Sequence, residues 1–329
     1  MHLTSLLHFI RIPCAELPLF YDCLVHGKQS WGECQLEYDA LTSSVSILIV
    51  FIIYSFVWSL ICNNVSKVDQ IWSITPGVYC VHYFYLNYVK DTLRQRHGFH
   101  ERLFLITILV VLWGIRLTYN FWRRGGYGNL IHHEEDYRWP ILRRMMSPPV
   151  WFMFNFTFIA TYQNILLWLL TLPAYVVMQS KLHHIHLVDI ILAFLFLLLL
   201  FMETIADQQQ YVFQEYKKTL TPEQRKNHPR KSIRDGFLQV GLFLYSRHPN
   251  YFAEQALWVV VFLFTVHGFY INYSCVGCIL LILLFQGSMA FSESITLSKY
   301  PSYADYQATT SQCIPTSKRF RKPKSYKTE

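Results

Sequence analysis

Ile190 to Phe201 reads IILAFLFLLLLF. No side chain in this run is polar, and a helix packed in water needs a polar face. About 20 apolar residues, rising 1.5 Å each, cross the hydrocarbon core of a bilayer, and the run widens to such a length as Leu187–Ala206. The rest of the chain agrees. Of its 329 residues 53% are hydrophobic, 17% aromatic and 15% charged, whereas a soluble domain carries about 25% charged residues. The expected fold is all-α, a polytopic membrane helical bundle of about seven spans: roughly Leu41–Cys62, Ile71–Tyr88, Leu103–Trp122, Val150–Met178, Leu187–Ala206, Tyr251–Ile271 and Cys275–Phe291. Pro76 and Gly77 interrupt the second span, and Pro173 predicts a kink late in the fourth.

Three divisions follow. Residues 1–40 form an N-terminal arm, assigned to the membrane surface because Arg11, Pro13, Glu16 and Pro18 break its apolar run and no basic region marks a signal peptide. Residues 41–315 form the transmembrane domain, and 316–329 a basic tail. With the N-terminus outside, 21 of the 29 Lys and Arg fall on the cytosolic side and 7 on the other. Positive residues prefer the cytosol, so the C-terminus is expected there. The tail is read as a cytosolic flank near anionic lipid. No folded basic domain stands behind it, so nucleic acid is not an expected partner.

Cys275 and Cys278 form a C-x-x-C at the head of an apolar span with no second pair, which reads as core packing. Cys14, Cys23 and Cys34 in the arm leave a disulfide or a structural metal open. His183, His184 and His186 read as an interfacial loop, and no metal site is expected.

Charge inside a membrane is costly and marks function by default. Four places stand out. Asp69, in Val68-Asp-Gln-Ile-Trp-Ser73, suits either a helix cap or a proton donor. Arg116, Tyr119, Asn120 and Arg123 recur at helical spacing, with Arg124 beside them, and make an arginine face suited to a phosphate-bearing cofactor. Glu203 and Asp207 lie i, i+4 at the end of a very apolar helix. Gly241-Leu-Phe-Leu-Tyr245-Ser-Arg247-His248-Pro249-Asn250-Tyr-Phe-Ala-Glu254 presents Arg247, His248 and Asn250 where Pro249 opens a helix, a natural anion site.

These stretches, with SESITLSKYPSYADYQATTSQCIP at residues 292–315, resemble the steroid 5α-reductase-like superfamily from about Val65 to Pro315. The closest likeness is to a less characterised branch of multi-span oxidoreductases, related to isoprenylcysteine carboxyl methyltransferase-type proteins. The resemblance implies NADPH in a cytosol-facing cavity, reduction of an activated C=C bond of a sterol or related lipid drawn from the bilayer, and residence in the endoplasmic reticulum. It implies cofactor contacts for Arg116, Arg123, Arg124, Glu203, Asp207, Tyr245, Arg247, His248, Asn250, Glu254 and Glu293, and makes Asp69 or Tyr119 the acid that protonates the product. Two positions depart from the family: Glu203 replaces an Asn, and Leu112 or Trp113 stands where steroid reductases carry a catalytic Tyr. Two other functions fit part of the pattern. R-H-P-x-Y, Glu293, Tyr303 and Tyr306 also resemble S-adenosylmethionine-dependent membrane methyltransferases, and some relatives of the fold are non-enzymatic.

Overall fold

A computed structural model describes residues 3–27, 30–93, 99–128, 134–266 and 272–316, and the side chains from residue 11 onward within them. The basic tail expected over 316–329 lies outside these residues, apart from Thr316. Every regular element among the described residues is helical. Five helices are long and apolar enough to cross a membrane: Ala40–Cys62, Glu101–Trp122, Pro148–Met178, Leu187–Thr219 and Cys275–Lys299. Each coincides with a span expected from the sequence.

The other two expected spans differ for local reasons. The second is divided at Ser73 and Ile74 into α4 (Lys67–Trp72) and α5 (Thr75–Leu93). Pro76 therefore sits in the first turn of α5, where its missing N–H costs nothing. The sixth is a helix of 15 residues, Pro249–Leu263, short of spanning length, and residues 267–271 lie outside the described set. In the fourth span α8 (Pro148–Phe154), a π-helical stretch Asn155–Tyr162, α9 (Gln163–Leu170) and α10 (Leu172–Met178) follow one another, and the chain breaks at Thr171, two residues before the expected kink.

The chain divides into two compact units, Met1–Phe194 with Val259–Leu280, and Leu195–Trp258 with Leu281–Glu329. In the first unit α1 (Leu3–Val25) packs on α3 (Ala40–Cys62), and α2 (Trp31–Glu37) lies against both α1 and α5. Pro13 and Pro18 do not break α1. Side chains compensate: Glu16 accepts from Asp39 N (2.9 Å) and from the Thr42 hydroxyl (2.8 Å) at the start of α3. A disulfide joins Cys23 to Cys34 and closes the α1–α2 hairpin; of the two possibilities for the arm cysteines, the disulfide is the one found. Cys275 and Cys278 are thiols and do not form a disulfide with each other.

The interior of this unit is held by polar bonds, as apolar contact gives helices little reason to associate in lipid. Along α3, Ser43 bonds His82 (2.8 Å), Ser44 accepts from Trp168 (2.9 Å), Ser55 from Asn164 (3.0 Å) and Ser59 from Asn155 (2.8 Å). Arg102, at the head of α6 (Glu101–Trp122), is fully buried, with Nε 3.0 Å from both Asp189 oxygens and Nη2 donating to the Phe264 carbonyl (2.6 Å).

The second unit holds α11 (Leu187–Thr219) from Leu195 onward, α12 (Pro222–Lys226), α13 (Lys231–Asp235), α14 (Pro249–Leu263) as far as Trp258, most of α15 (Cys275–Lys299) and α16 (Tyr303–Thr309). Its core gathers Ala206, Phe213, Ile233, Leu238 and Phe243, with an aromatic group of Phe237, Tyr303 and Tyr306.

Candidate functional site

The expected site residues fall in both units, and each set has its own geometry. In the first unit Gly114 brings α6 against the α4–α5 junction: a Cβ there would lie 2.4 Å from the Ser73 carbonyl oxygen. Ser73 and Thr118 hydroxyls bond at 2.7 Å. The two stretches VDQIWS and WGIRLTYN, distant in sequence, are thereby joined. The loop before α7 (Arg138–Met145) binds the same junction. Val65 N donates to Glu135 (3.0 Å), Asp136 N donates to the Ser66 hydroxyl (2.9 Å), and Trp139 Nε1 donates to Asp69 (3.0 Å). Burial, reinforced by the Asp136 carboxylate, raises the Asp69 carboxyl above its ordinary value.

The expected arginine face is only partly a unit. Arg123 bonds Asn120 through Nε (3.0 Å) and Nη2 (2.7 Å) and lies 5.7 Å from the Tyr119 ring centre. Arg116 is half-buried one turn deeper, whereas Tyr119 and Arg124 are exposed.

The second unit gathers more. Glu203, Asp207, Glu254 and Glu293 are each about 95% buried. Asn250, on the first turn of α14, donates to Asp207 (3.1 Å), so the carboxylate of one motif meets the amide of another. Glu254 accepts from Trp258 Nε1 (3.0 Å). Glu293 receives Arg247 Nε (2.7 Å) and Nη2 (3.0 Å), His248 Nε2 (2.9 Å) and Gln307 Nε2 (2.9 Å). The ring of His248 stacks on Tyr251.

A C-terminal strap holds this motif, and the sequence reading did not foresee it. Arg247 Nη1 donates to the carbonyls of Gln307 and Thr310, Arg247 N to Ser311 O (2.8 Å) and His248 N to Gln312 O (3.1 Å). Ser246 donates to Cys313 O (2.6 Å), and Thr316 N to the carbonyl of Tyr245, whose own side chain is exposed. Tyr306 donates to the Phe243 carbonyl. Arg247 is therefore committed to protein partners, which narrows the anion site expected at this helix start to His248 and Asn250. The one signal in the sequence was Glu293 followed by the two tyrosines. Gly241 (φ +67°) is needed here as well: a Cβ would lie 2.5 Å from Gln209 Oε1, which accepts from Leu242 N.

Arg102 and Asp189 were missed as a pair. Asp189 is an acid in the first turn of a very apolar helix, and that was the available signal. Of the three loop histidines, His183 stacks on His100 and His184 approaches Glu101. No three His, Cys, Asp or Glu side chains among the described residues gather as a metal site.

Comparison with known proteins adds kinship. An uncharacterized protein of Schizosaccharomyces pombe is 32% identical over 303 residues, covering 89% of this chain and 84% of its own length. No solved structure matches the chain. A family model matches residues 55–310, which include every cofactor-binding and catalytic residue expected from the sequence, and the chain belongs to that family, DUF1295, described as a protein of unknown function.

Proposed function

We propose that this chain is a membrane reductase that uses NADPH to reduce an activated C=C bond of a sterol or related lipid. The observation that carries the reading is the Asp207–Asn250 bond, because it joins ETIADQQ, the stretch that favours the reductase, to the R-H-P-x-Y stretch that both enzyme readings share. The residues fit the cofactor. Among the described residues Asn250 bonds protein through one N–H, and it is only half-buried. Its amide oxygen and second N–H remain to pair with a carboxamide or a ribose hydroxyl, while Asp207 fixes the orientation of the amide. Bound NADPH would supply the hydride. Asp69, in the other unit, is the acid that the resemblance implies, and a carboxyl with a raised pKa keeps its proton closer to neutrality. Tyr119, exposed at the same helix end as Arg123, is the alternative donor.

The orientation proposed from charge, N-terminus outside and C-terminus cytosolic, gains support from the Cys23–Cys34 disulfide, which belongs in an oxidising compartment such as the lumen of the endoplasmic reticulum. The lipid substrate would enter from the bilayer.

The test is thermal stability in detergent with NADPH, NADH or S-adenosylmethionine. A ligand at a hundred times its dissociation constant stabilises the fold by about 2.7 kcal/mol. The expected result is a shift with NADPH that Asn250→Ala abolishes. The Glu293 network with Arg247 and His248 favours the methyltransferase as second reading, and a shift with S-adenosylmethionine alone would select it. Silence with all three would select a non-enzymatic role.

A further inference from the structure

The C-terminal end of α11 carries a concentration of positive charge that the reading above does not use. Lys217 lies in its last turn, with Nζ donating to the Gly236 carbonyl (2.8 Å) and standing 5.6 Å from the centre of the Tyr300 ring. Lys299, the last residue of α15, places its own ammonium 5.5 Å from the same ring. Arg225, on α12, is close enough to repel the Lys217 charge, as Lys299 does. None of the three takes part in an ion pair among the described residues. Their neighbours behave differently: Lys218 pairs with Glu215 (2.7 Å).

The arrangement is built rather than incidental. Gly236 closes α13 at φ +86°, and a Cβ there would lie 2.3 Å from the Tyr300 ring. The ring that supports both lysines thus rests against a position only glycine can fill. A cation at a helix C-terminus is favourable by itself, but that does not explain bringing two of them to one ring and a guanidinium beside them. The buried Nε of Arg225 has no partner.

We propose that Lys217, Arg225 and Lys299 form a binding site for a soluble ligand that carries a phosphate group. Phosphate supplies the negative charge that these three cations lack among the described residues, and acceptor oxygens for their remaining N–H groups. A lipid headgroup offers the same chemistry, but position argues against it. The apolar run of α11 ends at Met202, and the helix rises about 22 Å from there to Lys217. The headgroup layer extends roughly 5–8 Å beyond the hydrocarbon, and a tilt of about 40° still leaves about 17 Å. The ligand therefore approaches from the aqueous side.

Inorganic pyrophosphate is the probe, and melting of the full chain in detergent the readout, with sodium chloride at matched ionic strength as reference. Pyrophosphate is expected to raise the melting temperature by a few degrees above chloride. Lys217→Gln and Lys299→Gln should each remove that increment, measured against the same variant's melting in chloride. Lys218→Gln should keep it. An equal response to chloride, or an increment that survives both substitutions, overturns the proposal. So does stabilisation by nanodiscs of anionic lipid with none by pyrophosphate. The proposal does not depend on the reductase reading: Asn250→Ala should leave the pyrophosphate response intact, and a response to pyrophosphate with none to NADPH would remove that reading alone.

Discussion

Two arginine–carboxylate pairs, one in each unit, look alike and are built for different ends. Arg102 and Asp189 have side-chain exposures of 0% and 1%; Arg247 and Glu293 have 9% and 6%. Arg102 leaves its buried Nη1 without a partner, and Asp189 spends its remaining capacity on His186 N (2.9 Å). The pair ties α6 to the start of α11 and to the Phe264 carbonyl and offers nothing outward. Arg247 and Glu293 instead use every group, and they orient a histidine beside a partly exposed amide. A buried pair adds little net stability over apolar residues of the same volume, yet removing one partner is expensive. The first pair therefore specifies which helices meet, and the second holds functional side chains at fixed positions.

The largest expected effect tests the first half of that contrast. Arg102→Met strands the Asp189 carboxylate and should cost about 3–5 kcal/mol, read as loss of folded protein in detergent. The double variant Arg102→Met/Asp189→Leu should recover most of it. Failure to recover would mean that the pair does more than hold helices.

A pH dependence at the same end of the first unit is next. Burial, and then His183, lower His100 from 6.5 to about 4. The folded state then binds fewer protons than the unfolded one between these values, so stability falls as pH drops from about 6.5 to 4. The upper bound is about 3 kcal/mol, at 1.36 kcal/mol per pKa unit. His100 also caps α6 by accepting from Leu103 N. His100→Asn keeps a capping side chain and should flatten the stability curve in that window.

Glu293→Gln probes the second pair. Arg247 and His248 lose their carboxylate, and about 2 kcal/mol of stability should go with it. Hydrogen exchange should quicken along residues 307–316, the strap that Arg247 anchors, and the ligand response should fall with it. Unchanged exchange there would deny the network its positioning role.

The smallest effect sharpens the assignment of the acid. Trp139→Phe removes the donor to Asp69 and should cost about 1 kcal/mol. Because that bond lowers the Asp69 pKa, the pH optimum of reduction should move to the alkaline side. An unmoved pH profile would turn attention to Tyr119.

Much of the fold was legible. Five apolar stretches are helices of spanning length because lipid demands internal backbone bonding and apolar side chains over a fixed distance. What failed was punctuation. Pro13 and Pro18 break the apolar run of the arm without breaking α1, and Pro76 and Gly77 were expected to interrupt a span that divides at Ser73. Proline is unfavourable inside a helix, but packing on α3 and bonds from Glu16 are stronger than a local preference. In the site, Asp207, Asn250 and Glu293 were visible as charges and amides in apolar surroundings. The strap from Gln307 to Thr316 was not, because its contribution is mainly through backbone carbonyls, which every residue has.

The amino-acid sequence by itself determined that this chain belongs in a membrane, where its longest apolar helices run, and which polar residues stand where they are costly. Those are properties of neighbours along the chain, and composition over about 20 residues is enough to decide them. Only the tertiary structure decided the partners: Arg102 with Asp189 across 87 residues, Arg247 with Glu293 across 46, Cys23 with Cys34 across 11. A charge or a thiol in the sequence states a need, and several residues could meet it. Which one does depends on the packing of helices that brings it within 3 Å.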